Sequence, residues 1–257
     1  AGQEWGQPPM RPDVLADLAY QPFRDMVRAA LRHAGGIRID HILGLFRLWW
    51  VPAGLGPRMG TYIRYDHEAM VGILALEAYR AGALVVGEDL GTVEPWVRAY
   101  LRERGIMGTS VLWFENGEDG NPLAPEQWRE YAMSSVTTHD LPPTTGYLAG
   151  DHVEVRSELG LLTESVEYER AAAARQTAAW IAILRARGVL AGDNPSEEEI
   201  VLAMHRMLTR TPSKVLNVTL TDAVGDRRTQ NLPGTTNEYP NWRVPLSHPD
   251  GSPMWLG

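Results

Sequence analysis

The sequence predicts an α/β fold, part of a (β/α)8 barrel built on parallel strands, from three observations. Three short apolar runs each close on an acidic residue: Ile37-Arg38-Ile39-Asp40, Ala83-Leu84-Val85-Val86-Gly87-Glu88, and Ser135-Val136-Thr137-Thr138-His139 followed by Asp140. Strand-like and helix-like patterns alternate along the chain, the βαβ signature of a parallel sheet. Five strand patterns occur where a closed barrel takes eight. A short apolar run between turn residues reads as a buried parallel strand, so the three carboxylates are expected at strand C-terminal ends, where barrels of this kind carry their active sites.

The elements follow in order. After a Gly/Pro-rich opening, Leu15, Leu18, Met26, Val27 and Leu31 recur at helical spacing from Pro12 to about Ala34, and Gly35-Gly36 ends that stretch. Strand 37–40 comes next, then a long loop containing Trp49-Trp50-Val51-Pro52 and Gly54, Gly56, Pro57 and Gly60. A helix is expected from about Glu68 to Arg80 with Gly82 as its stop, then strand 83–88, helix 94–104, strand 110–115, a short helix near 126–132 and strand 133–139. From Thr163 to Arg210 two Ala- and Leu-rich helices are interrupted around Gly192-Asp193-Asn194-Pro195. Strand 215–220 then leads into the turn-rich Asn231-Leu232-Pro233-Gly234-Thr235. Residues 1–257 are thus expected to form one partial barrel domain with a helical excursion over about 150–212, the N-terminal part of the barrel lying outside this chain.

Composition narrows the function. The chain has 257 residues, 44% of them hydrophobic, enough for a sizeable core. Its 24 Lys and Arg against 32 Asp and Glu give a net charge of -8, which disfavours nucleic acid as a partner. No basic-then-apolar leader and no run long enough to span a bilayer is present, and there are no cysteines, a pattern compatible with the cytoplasm. Most of the nine tryptophans read as core packing. Trp5, between glycines and prolines, is the best candidate for a flat platform against a sugar face.

Paired carboxylates facing one substrate are the chemistry of glycosidic bond cleavage, one acting as nucleophile and the other as proton shuttle. On a strand, residues 38 and 40 point to one side, so Arg38 is expected to lie beside Asp40 and keep it ionised. A structural ion pair reads equally well from this motif alone. Of the adjacent Glu88 and Asp89 at most one enters a site directly; Glu88 keeps the strand's alternation, and Asp89 suits a cap on the following turn. His139 and Asp140 end their strand at the rigid Leu141-Pro142-Pro143 turn; with no further clustered His they are weak evidence for a metal. Gly54-Leu55-Gly56 lacks the rest of either nucleotide fingerprint.

Arg38-Ile39-Asp40-His41, Gly87-Glu88-Asp89-Leu90-Gly91 and Thr138-His139-Asp140, in this order, resemble the β4, β5 and β7 motifs of the α-amylase superfamily. Gly2-Gln3-Glu4-Trp5-Gly6-Gln7-Pro8, Asn231-Leu232-Pro233-Gly234-Thr235 and Pro240-Asn241-Trp242-Arg243 narrow the resemblance to the amylomaltases, the 4-α-glucanotransferases of glycoside hydrolase family 77. The resemblance implies strands 4 to 8 of the barrel, with Asp40 as nucleophile, Glu88 as general acid/base and Asp140 as transition-state stabiliser. Arg38, His139 and His41 would support them and the sugar. Trp5 would lie in a loop that covers bound glucan, and Asn231 and Pro233 in a sugar-contacting loop. It further implies maltodextrin donors and acceptors, no cofactor or metal, and a cytoplasmic setting. Because family members carry a substantial region before these motifs, the chain alone is expected to be weakly active or inactive and to self-associate through open barrel edges. A retaining α-glucan hydrolase, a non-catalytic glucan-binding fragment and a metal-dependent hydrolase using His139 and Asp140 are the alternatives.

Overall fold

In a computed structural model of the chain, residues 6–255 are described, and they fall into two compact units that divide between Thr109 and Ser110. The fold is α/β with parallel strand pairs. Among the described residues no helix is long and apolar enough to cross a membrane.

The first unit opens with α1 (Pro12–Asp17) and α2 (Gln21–Leu31) where a single helical stretch was expected. Ala19 and Tyr20 take positive φ values of 48° and 58°, which no α-helix can continue through. Leu15, Val27 and Leu31 turn inward with Phe23, while Leu18 and Met26 face solvent. Strand β1 (Gly36–Ile39) follows, and the expected loop beyond it holds an antiparallel hairpin, β2 (Arg47–Trp50) with β3 (Thr61–Arg64). Asp66 caps α3 (His67–Ala81) by accepting from Ala69 N at 3.0 Å, and Gly82 ends it in the left-handed conformation. β4 (Leu84–Gly87) returns parallel to β1, Arg38 opposite Val86 and Ile39 opposite Gly87, and α4 (Pro95–Glu103) closes the unit. Its core joins Phe23, Val27 and Leu31 of α2 to Val71 and Leu74 of α3, Val85 of β4 and Val97 and Leu101 of α4, around the fully buried Ile42.

In the second unit β5 (Gly108–Val111), which straddles the division, β6 (Ala132–Ser135) and β7 (Val215–Asn217) form a sheet in that order, with β6 and β7 parallel. Several boundaries move from the sequence expectation. The strand expected at 110–115 ends at Val111, where Leu112–Phe114 wind into a 3₁₀ turn; the helix expected near 126–132 is one 3₁₀ turn, Pro125–Gln127; and the strand expected at 215–220 ends at Asn217, with α9 (Leu220–Val224) beginning after two intervening residues. The two helices expected between Thr163 and Arg210 are α7 (Val166–Ala186) and α8 (Glu197–Leu208), and two shorter ones, α5 (Thr144–Ala149) and α6 (Asp151–Glu158), precede them. Ser196 and Glu199 start α8 with a reciprocal cap, each side chain bonding the other's backbone amide. Trp180 and Leu184 of α7 and Met204, Met207 and Leu208 of α8 are almost wholly buried.

Candidate active site

In the first unit, the parallel register of β1 and β4 brings their C-terminal ends together, and each strand hands its next residue to the site. Asp40 directly follows β1 and Glu88 directly follows β4, as the sequence predicts. Glu88 N donates to Ile39 O at 2.8 Å and Ile42 N to Glu88 O at 3.1 Å, so the two strand exits are laced together by main chain. Arg38 Nη1 donates to Asp40 Oδ1 at 2.5 Å, the pairing expected from their two-residue spacing.

Glu88 is 7% exposed and is held by amides. Its Oε2 accepts from His41 N at 3.0 Å and its Oε1 from Leu90 N at 2.6 Å. His41 adopts φ 50° and ψ 58°, a left-handed conformation uncommon outside glycine. That turn sets the imidazole between the two acids, Nδ1 3.2 Å from Glu88 Oε2 and Nε2 3.7 Å from Asp40 Oδ2. One carboxylate oxygen of Asp40, one of Glu88 and a ring nitrogen of His41 all lie within 4.8 Å of one another. Among the described residues this is the only trio of His and acidic groups close enough to hold one metal ion. Asp89, expected to cap the next turn, accepts from Thr109 N at 2.9 Å and pairs with Arg98 at 3.4 Å.

In the second unit Asp140 does not directly follow its strand. β6 ends at Ser135, and Val136–His139 leave the sheet because Thr137 turns its hydroxyl onto Pro142 O at 2.8 Å, bending the segment. His139 Nε2 lies 3.4 Å from Asp140 Oδ2, and Asn231 Nδ2 donates to Asp140 Oδ1 at 2.6 Å. Asn231 N also donates to His139 O at 3.1 Å, fastening the 231–235 turn to the His139-Asp140 pair. Pro233 is exposed on that turn, and Trp5 lies outside the described residues. One residue here went unrecognised in the sequence: Trp242, whose ring centroid is 5.1 Å from that of His139. Its motif was legible, but its exposure was not, because a tryptophan in a turn-rich segment carries no periodicity that separates core from surface.

An arginine beside Asp40 and two backbone amides on the buried Glu88 give the two carboxylates different surroundings. The two acids read as a pair from the sequence stand side by side at the ends of β1 and β4.

Comparison with known proteins points the same way. Residues 1–249 match the sequence profile of glycoside hydrolase family 77, described as 4-alpha-glucanotransferase. The 4-alpha-glucanotransferase of Mycobacterium tuberculosis is 66% identical over 99% of this chain and 36% of its own length. That of Haemophilus influenzae is 35% identical over 96% of this chain and 36% of its own length. The crystal structure of amylomaltase from Corynebacterium glutamicum superimposes with a TM-score of 0.93 at 46% identity, covering 98% of this chain and 38% of that one. Amylomaltase from Streptococcus agalactiae in complex with acarbose shares the fold alone, with a TM-score of 0.68 at 19% identity over 93% of this chain and 43% of that one. The chain thus spans a little over a third of the length of the curated relatives it matches across most of its residues.

Proposed function

Since this chain belongs to glycoside hydrolase family 77, the 4-alpha-glucanotransferases, we propose that it supplies the catalytic carboxylates for transfer of α-1,4-glucan segments between maltodextrins. The observation that carries the reading is the approach of Asp40 and Glu88 oxygens to within 4.8 Å. Two-step, retaining cleavage uses carboxyls roughly 5–5.5 Å apart, whereas single-step inversion leaves room for a water at roughly 6.5–9.5 Å.

In this reading Asp40, paired with Arg38, attacks the anomeric carbon while Glu88 gives its proton to the departing glycosidic oxygen. The C–O bond breaks, the shortened glucan leaves with a free 4-hydroxyl, and the remaining glucosyl unit stays esterified to Asp40. Glu88, now a carboxylate steadied by the amides of His41 and Leu90, takes the proton from the 4-hydroxyl of an acceptor glucan, whose oxygen displaces Asp40. Asp140, oriented by Asn231 and His139, stabilises the oxocarbenium-like transition state through sugar hydroxyls. Transfer prevails over hydrolysis when water is excluded from the glucosyl-enzyme. The strands correspond to strands 4 to 8 of a (β/α)8 barrel, the setting is cytoplasmic maltodextrin metabolism, and the chain by itself has little or no activity.

Maltotriose disproportionation tests this in the longer protein carrying the chain and in the chain alone. Glucose together with longer maltodextrins is the expected product set, and shortening alone would mean a hydrolase. Asp40→Asn and Glu88→Gln are each expected to lower turnover by about 10³-fold or more, with folding unchanged. A chelator is expected to leave turnover intact; its loss on chelation would reassign the Asp40, His41 and Glu88 trio to a metal.

A further inference from the structure

Trp242 is 66% exposed, whereas Trp113, Trp128 and Trp180 are each 3% exposed or less. Its backbone sits at φ 61°, in the left-handed region that a bulky side chain rarely enters. The surrounding loop holds that conformation in place. Trp242 N donates to Gln230 O at 2.9 Å, and the preceding Asn241 ties the loop to itself, accepting from Leu232 N at 2.8 Å and donating to Thr235 Oγ1 at 2.8 Å. A strained backbone that presents a large apolar ring to water costs free energy twice, and the fold recovers neither cost by burying the ring.

The ring's position says what recovers it. The indole leans on the His139 imidazole at 5.1 Å and an interplanar angle of 39°. His139 is bonded through its carbonyl to Asn231 N, and Asp140 receives the Asn231 amide. An open aromatic face therefore stands beside a rim of polar groups: His139, Asp140 and Asn231. A pyranose ring has the complementary shape, with C–H bonds on a face and hydroxyls around the edge.

We propose that Trp242 is a stacking platform for a glucose unit of the glucan, placing that unit's hydroxyls at His139, Asp140 and Asn231; this rests on the glucan-transferase reading above. Trp242 contributes to sugar binding and moves no proton.

The test uses the longer protein that carries this chain, with Trp242→Phe and Trp242→Ala, maltotriose as substrate and maltoheptaose as the titrated ligand. For Trp242→Ala, KM for maltotriose is expected to rise about tenfold, about 1.4 kcal/mol, with kcat changed less than threefold. Trp242→Phe, which keeps an aromatic face, is expected to retain KM within about threefold of wild type while losing most of the intrinsic-fluorescence change that maltoheptaose produces. An unchanged KM in Trp242→Ala, or an undiminished fluorescence change in Trp242→Phe, would overturn the platform. Equal losses of kcat and thermal stability in both variants, with KM unaltered, would also overturn it by assigning Trp242 a structural role. If Trp242→Ala does not fold, the Phe variant's KM and fluorescence decide alone. Failure of the underlying function would look different, since the wild-type protein would then produce no glucose from maltotriose.

Discussion

Gly87 is the residue on which the spacing of the two acids depends. It ends β4 opposite Ile39, and a methyl group there would lie 2.4 Å from Ile42 Cδ1, 3.0 Å from its Cγ2 and 3.1 Å from its Cβ. Three contacts on one fully buried side chain are not relieved by rotating it, so the backbone at residue 42 must give way. Residue 42 follows the left-handed His41, whose amide holds Glu88. Gly87→Ala is therefore expected to destabilise the chain by about 1–3 kcal/mol in urea unfolding. Adding Ile42→Val, which removes the nearest of the three atoms, should return part of that loss. Additive losses in the double variant would show that the two residues do not press on each other.

At the scale of elements, α5 and α6 pack through a ring stack that responds to pH. Tyr147 lies against Trp113 at 4.0 Å and against His152 at 4.4 Å, nearly parallel to the imidazole at 7°. Burial, with Glu169 adding, pushes the Tyr147 phenol up to about 12, so it stays neutral over the working range. Burial, with the Arg156 charge adding, pushes the His152 imidazole down from its ordinary value. The unfolded chain then takes up a proton before the folded one does. Stability is thus full above the unfolded value of about 6.5 and falls as pH drops from there toward the folded value. Thermal midpoints of the chain between pH 7.5 and 5 are expected to decline, and His152→Phe, which keeps a ring in the stack, should flatten that decline. An identical slope in the variant would assign it to other groups.

The same scale separates what the sequence revealed from what it concealed. β1, β4, α3 and α8 were legible because each carries a local signal: an apolar run closed by an acid, the stop at Gly82, or an Ala- and Leu-rich run resuming after the Gly192-Asp193-Asn194-Pro195 break. The β2 and β3 hairpin was hidden because Pro52, Gly54, Gly56, Pro57 and Gly60 crowd its connection, and two four-residue strands are too short to show their period beside them. The break at Ala19 and Tyr20 was invisible because neither residue type favours a positive φ. In the site, Arg38 beside Asp40 followed from a two-residue period. The bond from Asn231 to Asp140 spans 91 positions, so the folded loop alone creates it.

For the whole molecule, the question is what a chain little more than a third as long as its relatives does with its unpaired surface. Among the described residues β1 pairs only with β4 and β7 only with β6, so each leaves one row of main-chain donors and acceptors without a strand partner. Large apolar side chains stand out nearby: Leu84 at the start of β4 and Leu216, Val218 and Leu220 at and after β7 are exposed. Open edges flanked by apolar side chains favour pairing between copies, and a net charge of -8 opposes it through mutual repulsion. The repulsion is screened over about 10 Å at 0.1 M salt and about 3 Å at 1 M, while edge pairing is not screened. The isolated chain is therefore expected to be heavier than its 28.5 kDa monomer in light scattering after size exclusion, increasingly so with protein concentration and with salt. A monomer mass that holds across both ranges would show that these edges are guarded within the chain itself. Mass that falls as salt rises would instead make the association electrostatic, with the acidic surface pairing against the arginines and not against itself.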